Sequence, residues 1–362
     1  MAITSQWKYY CKLTIDNTKV TSDLANFPVL LVWTGSSSTS NLPQSMFDTN
    51  SAEKALVTGN DIRFSSDDKG ATELPFEIVY FDVNASGVAS SRAQVWVKLT
   101  SIADTTDTVF YVWWGNANAS AYAATDTFGR NNVWTNSYRC VYHLNSLVDS
   151  TGNLANLTEG ANASYATDRF GRTTGCRYYP NTVNTDRTPA LGVGSTTAMT
   201  FTLWLKRDGS QIDYNGFLFS RDTINAVGLN FNDTDKLRYH WSDQGTTYTW
   251  VSNLTTGTDW SFISLRISSS VGVYRLNGTE ATNTTTHNAV NFTSARFYIG
   301  REELVDRLFN GWMDSVRFSN TTRTAEWVAA EYNSESSPQT FLTVGTVNKT
   351  SSTNAILFSL NY

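Results

Sequence analysis

Charge is scarce in this chain. Of 362 residues only 16% are charged, against about a quarter in ordinary globular domains. Lys+Arg number 27 and Asp+Glu 32, which gives a net charge of −5. No basic tract stands out, and this argues against nucleic acid as the main ligand. Long hydrophobic runs are missing too. Phe27–Trp33 and Val109–Trp114 are among the longest, far short of the ~20 residues of a membrane helix. Cysteine is rare: Cys11, Cys140 and Cys176 are odd in number and far apart. With no Cys-x-x-Cys, neither a disulfide framework nor a zinc site is expected, and buried free thiols are. The three histidines, His143, His240 and His287, have no ligand spacing. The N-terminus lacks a basic segment, an apolar segment and a cleavage site. The expectation is therefore no signal peptide: either the chain is used without export or a leader has been removed.

What the chain does have is aromatic residues, 13% of the total, within a hydrophobic fraction of 40%. That composition excludes a disordered chain, a coiled coil and a collagen-like rod. At ~150 residues per domain, the length suggests two domains. Trp7, Tyr9, Cys11, Leu13 and Ile15 alternate with Lys8, Tyr10, Lys12 and Thr14, the period of a half-buried strand. Five more strand candidates follow before residue 120, separated by Gly, Ser, Asn and Asp clusters. A second strand series starts near Arg139 and runs to Ser319, with turns expected at Asp243-Gln244-Gly245 and Asn277-Gly278. So many strands cannot stay in one open sheet, so packed sheets are expected. One helix is legible: Thr324 caps it, Glu326 sits in its first turn, and Ala325, Val328, Ala329 and Tyr332 form an apolar face. Pro338 stops it. The reading is all-β: two tandem antiparallel sandwiches over 1–122 and 139–345, a linker at 123–138, and a tail at 346–362. The Ala355–Leu360 stretch of that tail is apolar enough to dock on this chain or a neighbour by strand addition.

Residues 1–120 carry Leu13-Thr-Ile-Asp-Asn17, Asn26-Phe-Pro-Val-Leu30, Asp61-Ile-Arg-Phe64, Glu73-Leu-Pro-Phe-Glu77, Val95-Trp-Val-Lys98 and Asp107-Thr-Val-Phe-Tyr111. In order and spacing this segment resembles a β-domain family of unknown function from bacteria and phages, usually joined to laminin-G-like modules. Residues 139–345 are similar to that partner, a laminin-G-like, concanavalin A-like module. The marks are Val141-Tyr-His-Leu-Asn145, Asp149-Ser-Thr-Gly-Asn153, Phe201-Thr-Leu-Trp204, Val273-Tyr-Arg-Leu-Asn-Gly278, Phe309-Asn-Gly-Trp-Met-Asp-Ser-Val-Arg317 and Glu331-Tyr-Asn333. The stretch from about 155 to 198 departs from the family, with Cys176-Arg-Tyr-Tyr-Pro180 in place of a Gly-rich strand. The resemblance implies an antiparallel jelly roll that binds glycans or proteins, often with a structural calcium ion.

Three chemistries deserve weighing. Glycosidases of the resembled fold carry Glu-x-Asp-x-Glu on one strand, because retaining hydrolysis needs two carboxyl groups ~5 Å apart. That motif is absent, as are a Gly-x-Ser-x-Gly elbow, a phosphate loop and a zinc motif, so no enzyme is expected. For calcium, Asp149, Asn153 and Asp314 are oxygen donors where the family often holds the ion, although Asp149-Ser-Thr-Gly reads equally as an Asx turn. For glycans, Tyr239 and Trp241 alternate on one strand and Tyr248 and Trp250 on the next. Four such rings make either a sugar-stacking platform or a sandwich core. Trp113-Trp114 must point to opposite faces, which suggests that one of them lies at an interface between the domains. The expected role is a phage virion surface protein, in head decoration, a head fibre or a tail-associated part, with a lectin-like module for glycan or cell-surface attachment. Its partners would be other virion proteins, a second copy of itself, or host glycans. A secreted bacterial adhesin is the alternative, and a divergent glycoside hydrolase the third reading.

Overall fold

The computed structural model describes residues 3, 6–182, 186–222, 225–242, 248–302 and 306–350. The expected turn at Asp243–Gly245 and the apolar stretch Ala355–Leu360 lie outside them. The chain is all-β with a short C-terminal helix. Its first six strands are β1 (Tyr9–Ile15), β2 (Leu24–Trp33), β3 (Arg63–Ser65), β4 (Phe76–Asp82), β5 (Arg92–Ile102) and β6 (Thr108–Trp114). The second series is β7 (Tyr138–Tyr142), β8 (Ser164–Ala166), β9 (Cys176–Tyr179), β10 (Val193–Thr196), β11 (Met199–Arg207), β12 (Gly216–Asp222), β13 (Asn225–Phe231), β14 (Lys236–Trp241) and β15 (Tyr248–Thr255). It continues with β16 (Ser261–Ile267), β17 (Gly272–Leu276), β18 (Thr279–Asn283), β19 (Val290–Phe292), β20 (Tyr298–Ile299) and β21 (Gly311–Ser319). Helices α1 (Ala325–Ser336) and α2 (Pro338–Phe341) then lead into β22 (Leu342–Lys349).

The first module stacks a sheet of order β22-β1-β6-β3 on one of order β2-β5-β4. In β1 the period-two reading holds: Cys11, Leu13 and Ile15 have no exposed surface, and Lys12 faces solvent. In β2 there is no alternation, because Phe27–Trp33 is buried on both faces. One side meets the module's own core and the other meets α1, where Phe27 packs edge-on to Trp327 at 4.9 Å. Strand β22 pairs with β1, Tyr9 opposite Lys349 and Ile15 opposite Leu342. The expected boundary at 345 therefore falls inside a strand, and Leu342–Lys349 returns to join the first sheet. Residues 123–138 are likewise not a free linker, since Val133, Trp134 and Tyr138 are buried in the first core. Trp113 and Trp114 do point to opposite faces, yet both are fully buried within the first module. Trp113 stacks on Tyr10 at 4.7 Å and donates to Ser65 Oγ, while Trp114 donates to the Glu53 carbonyl. The first module's own strands cover them, not a domain interface.

The second module packs a large antiparallel sheet, order β18-β17-β16-β11-β21-β9-β8 with β7 also on β21, against the sheet β15-β14-β13-β12-β20. Phe201, Leu203, Leu205, Leu229, Tyr239 and Phe318 are among the side chains that fill the space between. The expected Asn277-Gly278 turn joins β17 to β18, with Asn277 at φ 52°. The three cysteines are buried and free.

The outer face of the large sheet carries α1. Thr324 caps it by accepting from the Trp327 N–H at 3.1 Å. The buried side of α1 differs from the expected apolar stripe: it holds Trp327, Val328, Ala330 and also Glu331, Ser334 and Glu335. The glutamates point inward because arginines meet them. Arg317 on β21 lies 2.6 Å from Glu335 and 3.6 Å from Glu331, and Arg169 lies 3.2 Å from Glu335 and 3.3 Å from Asp314. Tyr138 donates to Glu331, and Trp204 Nε1 donates to Glu335. Arg317 also lies over the Trp96 ring of β5, at 5.2 Å, so this network joins sheet, helix and first module. No helix among the described residues is long and apolar enough to cross a membrane.

Candidate functional site

Antiparallel pairing puts directly opposed residues on one face. In the large sheet, Ser164 on β8 opposes Tyr178 on β9, Tyr178 opposes Trp312 on β21, and Trp312 opposes Lys206 on β11. Leu205 opposes Ser261 on β16, so Trp260, one residue before that strand, continues the row next to Lys206. The outcome is a line of ring, ring, ammonium and ring. At ~4.8 Å between strands it runs about 14 Å from Tyr178 to Trp260. All four side chains are half-buried. Tyr178 and Trp312 have centroids 4.8 Å apart, and the Lys206 ammonium lies 4.9 Å from the Trp312 ring. A cavity of about 500 Å³ opens here, lined among others by Thr167, Thr173, Lys206, Trp260 and Trp312.

Polar groups stand at one end of the row. The Tyr178 hydroxyl donates to Asp208 at 2.9 Å and lies 3.5 Å from Asn310 Oδ1. Burial, followed by the hydrogen bond to Asp208 and that carboxylate's charge, raises the Tyr178 pKa and keeps the phenol protonated. Asn310 Nδ2 donates back to the Asp208 carbonyl at 2.6 Å. The backbone beneath is fixed by Gly311, at φ 151°, where a Cβ would meet the Lys206 carbonyl oxygen at 2.1 Å. Flat apolar faces bordered by hydroxyl, carboxylate and amide suit the C–H faces and hydroxyls of a sugar.

The rings expected to form a platform lie elsewhere. Tyr239 and Trp241 have no exposed surface and belong to the second core, so as core side chains they do not stack on a ligand. The Tyr239 hydroxyl accepts from Asn283 Nδ2 and lies 2.7 Å from His287 Nε2, and Trp241 Nε1 donates to the Asn288 carbonyl at 2.8 Å. Trp250 packs half-buried against Tyr239, centroids 5.7 Å apart. Tyr248 opposes Trp241 in the β14–β15 register. Sequence reasoning missed Tyr178, Trp312, Lys206 and Trp260 because each comes from a different part of the chain.

The three expected calcium donors are each engaged within the protein. Asp149 Oδ1 accepts from the Val141 and Thr151 N–H groups, and Oδ2 from the Thr151 hydroxyl and the Leu154 N–H. Asn153 Nδ2 donates to the Tyr138 carbonyl, and Asp314 faces Arg169 and the Ser315 hydroxyl. Asp149 and Asn153 thus fix the loop after β7, the Asx-turn reading. Among the described residues, no three His, Cys, Asp or Glu side chains cluster in a way that could hold a metal.

Residues 181–329 match the family described as the concanavalin A-like lectin/glucanases superfamily, laminin-G type. The second module thus has a lectin-like, concanavalin A-like jelly-roll fold. Among solved structures, the chain aligns with domain 4 of AbnA, a GH43 extracellular arabinanase from Geobacillus stearothermophilus, solved in complex with arabinotriose. That alignment has TM-score 0.45 and 19% identity over 54% of this chain and 98% of that one. It also aligns with the binding domain of Botulinum Neurotoxin DC in complex with SialylT, at TM-score 0.43, 11% identity, 55% of this chain and 51% of that one. The binding domain of Paraclostridial Mosquitocidal Protein 1 aligns at TM-score 0.44 and 12% identity over 55% of this chain and 52% of that one. This chain thus spans about half the length of the two toxin domains. No curated protein sequence matches it.

Proposed function

We propose that this protein is a non-enzymatic attachment protein that holds a short oligosaccharide along the Tyr178–Trp312–Lys206–Trp260 row. The observation that carries this reading is the register: four strands place three half-buried rings and an ammonium in one line on a lectin-like sheet. A row about 14 Å long suits several linked sugars better than one. A binding role rather than turnover is supported by how the buried carboxylates are used. Five of the buried carboxylates, Glu77, Asp186, Asp314, Glu331 and Glu335, each pair with a histidine or an arginine that holds the fold together, and Asp149 is taken up by its own loop.

The setting we propose is a phage virion surface, in head decoration, a fibre or a tail-associated part, with a secreted bacterial adhesin as the alternative. Three buried, unpaired thiols support assembly in a reducing compartment. Burial pushes the Cys11 thiol up to about 11, which keeps it protonated and unreactive. Glycan-array screening tests the binding reading. Wild type is expected to give oligosaccharide signals that Trp312→Ala and Trp260→Ala each abolish while the melting transition stays cooperative. Signals that survive both substitutions would overturn it.

A further inference from the structure

A second cavity, of about 300 Å³, lies where the two modules meet, and Arg63, Glu77, Tyr122, Arg130, His143 and Asn145 are among its walls. Its charges are not equally answered. Glu77 lies 3.1 Å from His143 Nε2 and accepts from Trp134 Nε1 at 2.6 Å and from the Ser150 hydroxyl at 2.5 Å. Burial pushes its carboxyl up, but the His143 charge and the hydrogen bonds from His143, Ser150 and Trp134 outweigh that, so it stays ionised and matched. The Arg63 guanidinium donates to the carbonyls of Asn60, Ile62 and Ser120, lies over the Tyr122 ring at 4.1 Å, and has Glu73 at 3.6 Å.

Arg130 is different. It is half-buried on the wall, its Nε is buried without a hydrogen-bond partner, and its guanidinium has no acid among the described residues. Its position is nonetheless built. The turn Arg130–Asn132 is closed by N–H bonds from Asn132 to the Gly129 carbonyl and from Val133 to the Arg130 carbonyl. Gly129 sits so close to the Ala123 carbonyl that a Cβ would meet it at 2.1 Å. Only Nε is buried, so the terminal nitrogens stand open on the cavity wall, and no carboxylate of the described residues competes for them.

We infer that this junction cavity binds a small carboxylate of acidic-monosaccharide size, anchored by a two-point contact from Arg130. A planar guanidinium matches a carboxylate in bidentate geometry, and the volume is at the small end of ligand pockets. The site is separate from the aromatic row, so either can fail alone. The test is titration calorimetry with galacturonate, with galactose as the neutral control. Galacturonate is expected to bind and galactose not. Arg130→Ala is expected to lose roughly ten-fold or more in affinity, with Arg130→Lys in between. Trp312→Ala is expected to leave galacturonate binding unchanged. Arg130→Ala removes no bond within the protein, so its melting temperature serves as the folding control. Equal binding of galactose, no galacturonate heat, or an unchanged Arg130→Ala affinity would overturn the inference. Inorganic phosphate competing better than acetate would overturn the carboxylate class.

Discussion

Two tryptophans of the second module look alike in sequence and should behave oppositely. Trp241 ends β14 with no exposed surface, edge-on to Phe292 at 6.1 Å. Trp241→Ala deletes an indole from a packed core, a change that costs about 3–5 kcal/mol through lost transfer energy and the cavity left behind. The hydrogen bond from Nε1 to the Asn288 carbonyl adds little, because Asn288 is half-exposed and water can replace the donor. Against a total stability of about 5–15 kcal/mol for a domain, this is a large fraction. Trp312 is half-buried, and its neighbours on that face are Tyr178 and Lys206. Trp312→Ala forfeits one aromatic pair and one cation–π contact, about 1–2 kcal/mol together. Urea unfolding of both variants, with binding measured on the same samples, gives the comparison. Trp241→Ala should lower the midpoint sharply at constant slope, while its folded fraction still binds. Trp312→Ala should unfold near wild type and not bind. If Trp241→Ala cost under about 1 kcal/mol and abolished binding, or if Trp312→Ala cost more than Trp241→Ala, the division into core and contact face would be wrong.

Arg317→Ala leaves Glu331 without its cation in a buried site, an error worth about 3–5 kcal/mol. The loss should shrink as acid protonates the glutamates, and a loss unchanged from pH 8 to pH 4 would refute the pairing. For Asp314, burial pushes the carboxyl up to about 6, against 3.9 when unfolded. The folded state holds its proton more tightly, so stability falls as pH rises between about 4 and 6. Asp314→Asn is neutral throughout, so in chemical denaturation it should match wild type near pH 4 and exceed it above pH 6. A difference that does not vary with pH would sink that reasoning.

How much was legible follows from what sequence can encode. The alternation in β1 was readable because Lys12 and Thr14 face out while Cys11, Leu13 and Ile15 face in. In β2 the uninterrupted apolar run gave the strand but not its second partner, α1. The helix cap at Thr324 was readable from local chemistry alone. The inward face of α1 was not, because Glu331 and Glu335 count as polar in any periodicity until Arg317 and Arg169 arrive from elsewhere. Strand β22 was hidden for a related reason. Its pattern is mostly exposed, as suits an edge strand, so it carries no hydrophobic signature and reads as tail. The aromatic row was the least legible feature. Tyr178 and Trp312 are 134 positions apart in the sequence and meet only through register. Tyr178 also sits in Cys176–Pro180, the stretch that departs from the resembled family, so resemblance pointed away from it.

The placement of the row beside the buried ion network has a mechanical consequence. Along β11 the outward side chains Trp204 and Lys206 are two residues apart, ~7 Å. Trp204 lies under α1, bonded to Glu335 and near Tyr332 at 6.4 Å. Lys206 already stands half-exposed against Trp312. The first module and α1 therefore cover one part of the sheet's outer face and reach the row at Trp260, which packs against the first core, while Tyr178 and Trp312 lie beyond them. The covered part is pinned by Arg317 and Arg169, and β21 carries Trp312, Asp314 and Arg317 within six residues. On the proposed function, a ligand on the row would meet rings whose backbone is already held from behind, and little of its binding energy would be spent on ordering them. The first module thus braces this part of the second, through Trp96 against Arg317. Loosening the network at Arg317 should weaken binding at Trp312 without touching a single contact atom.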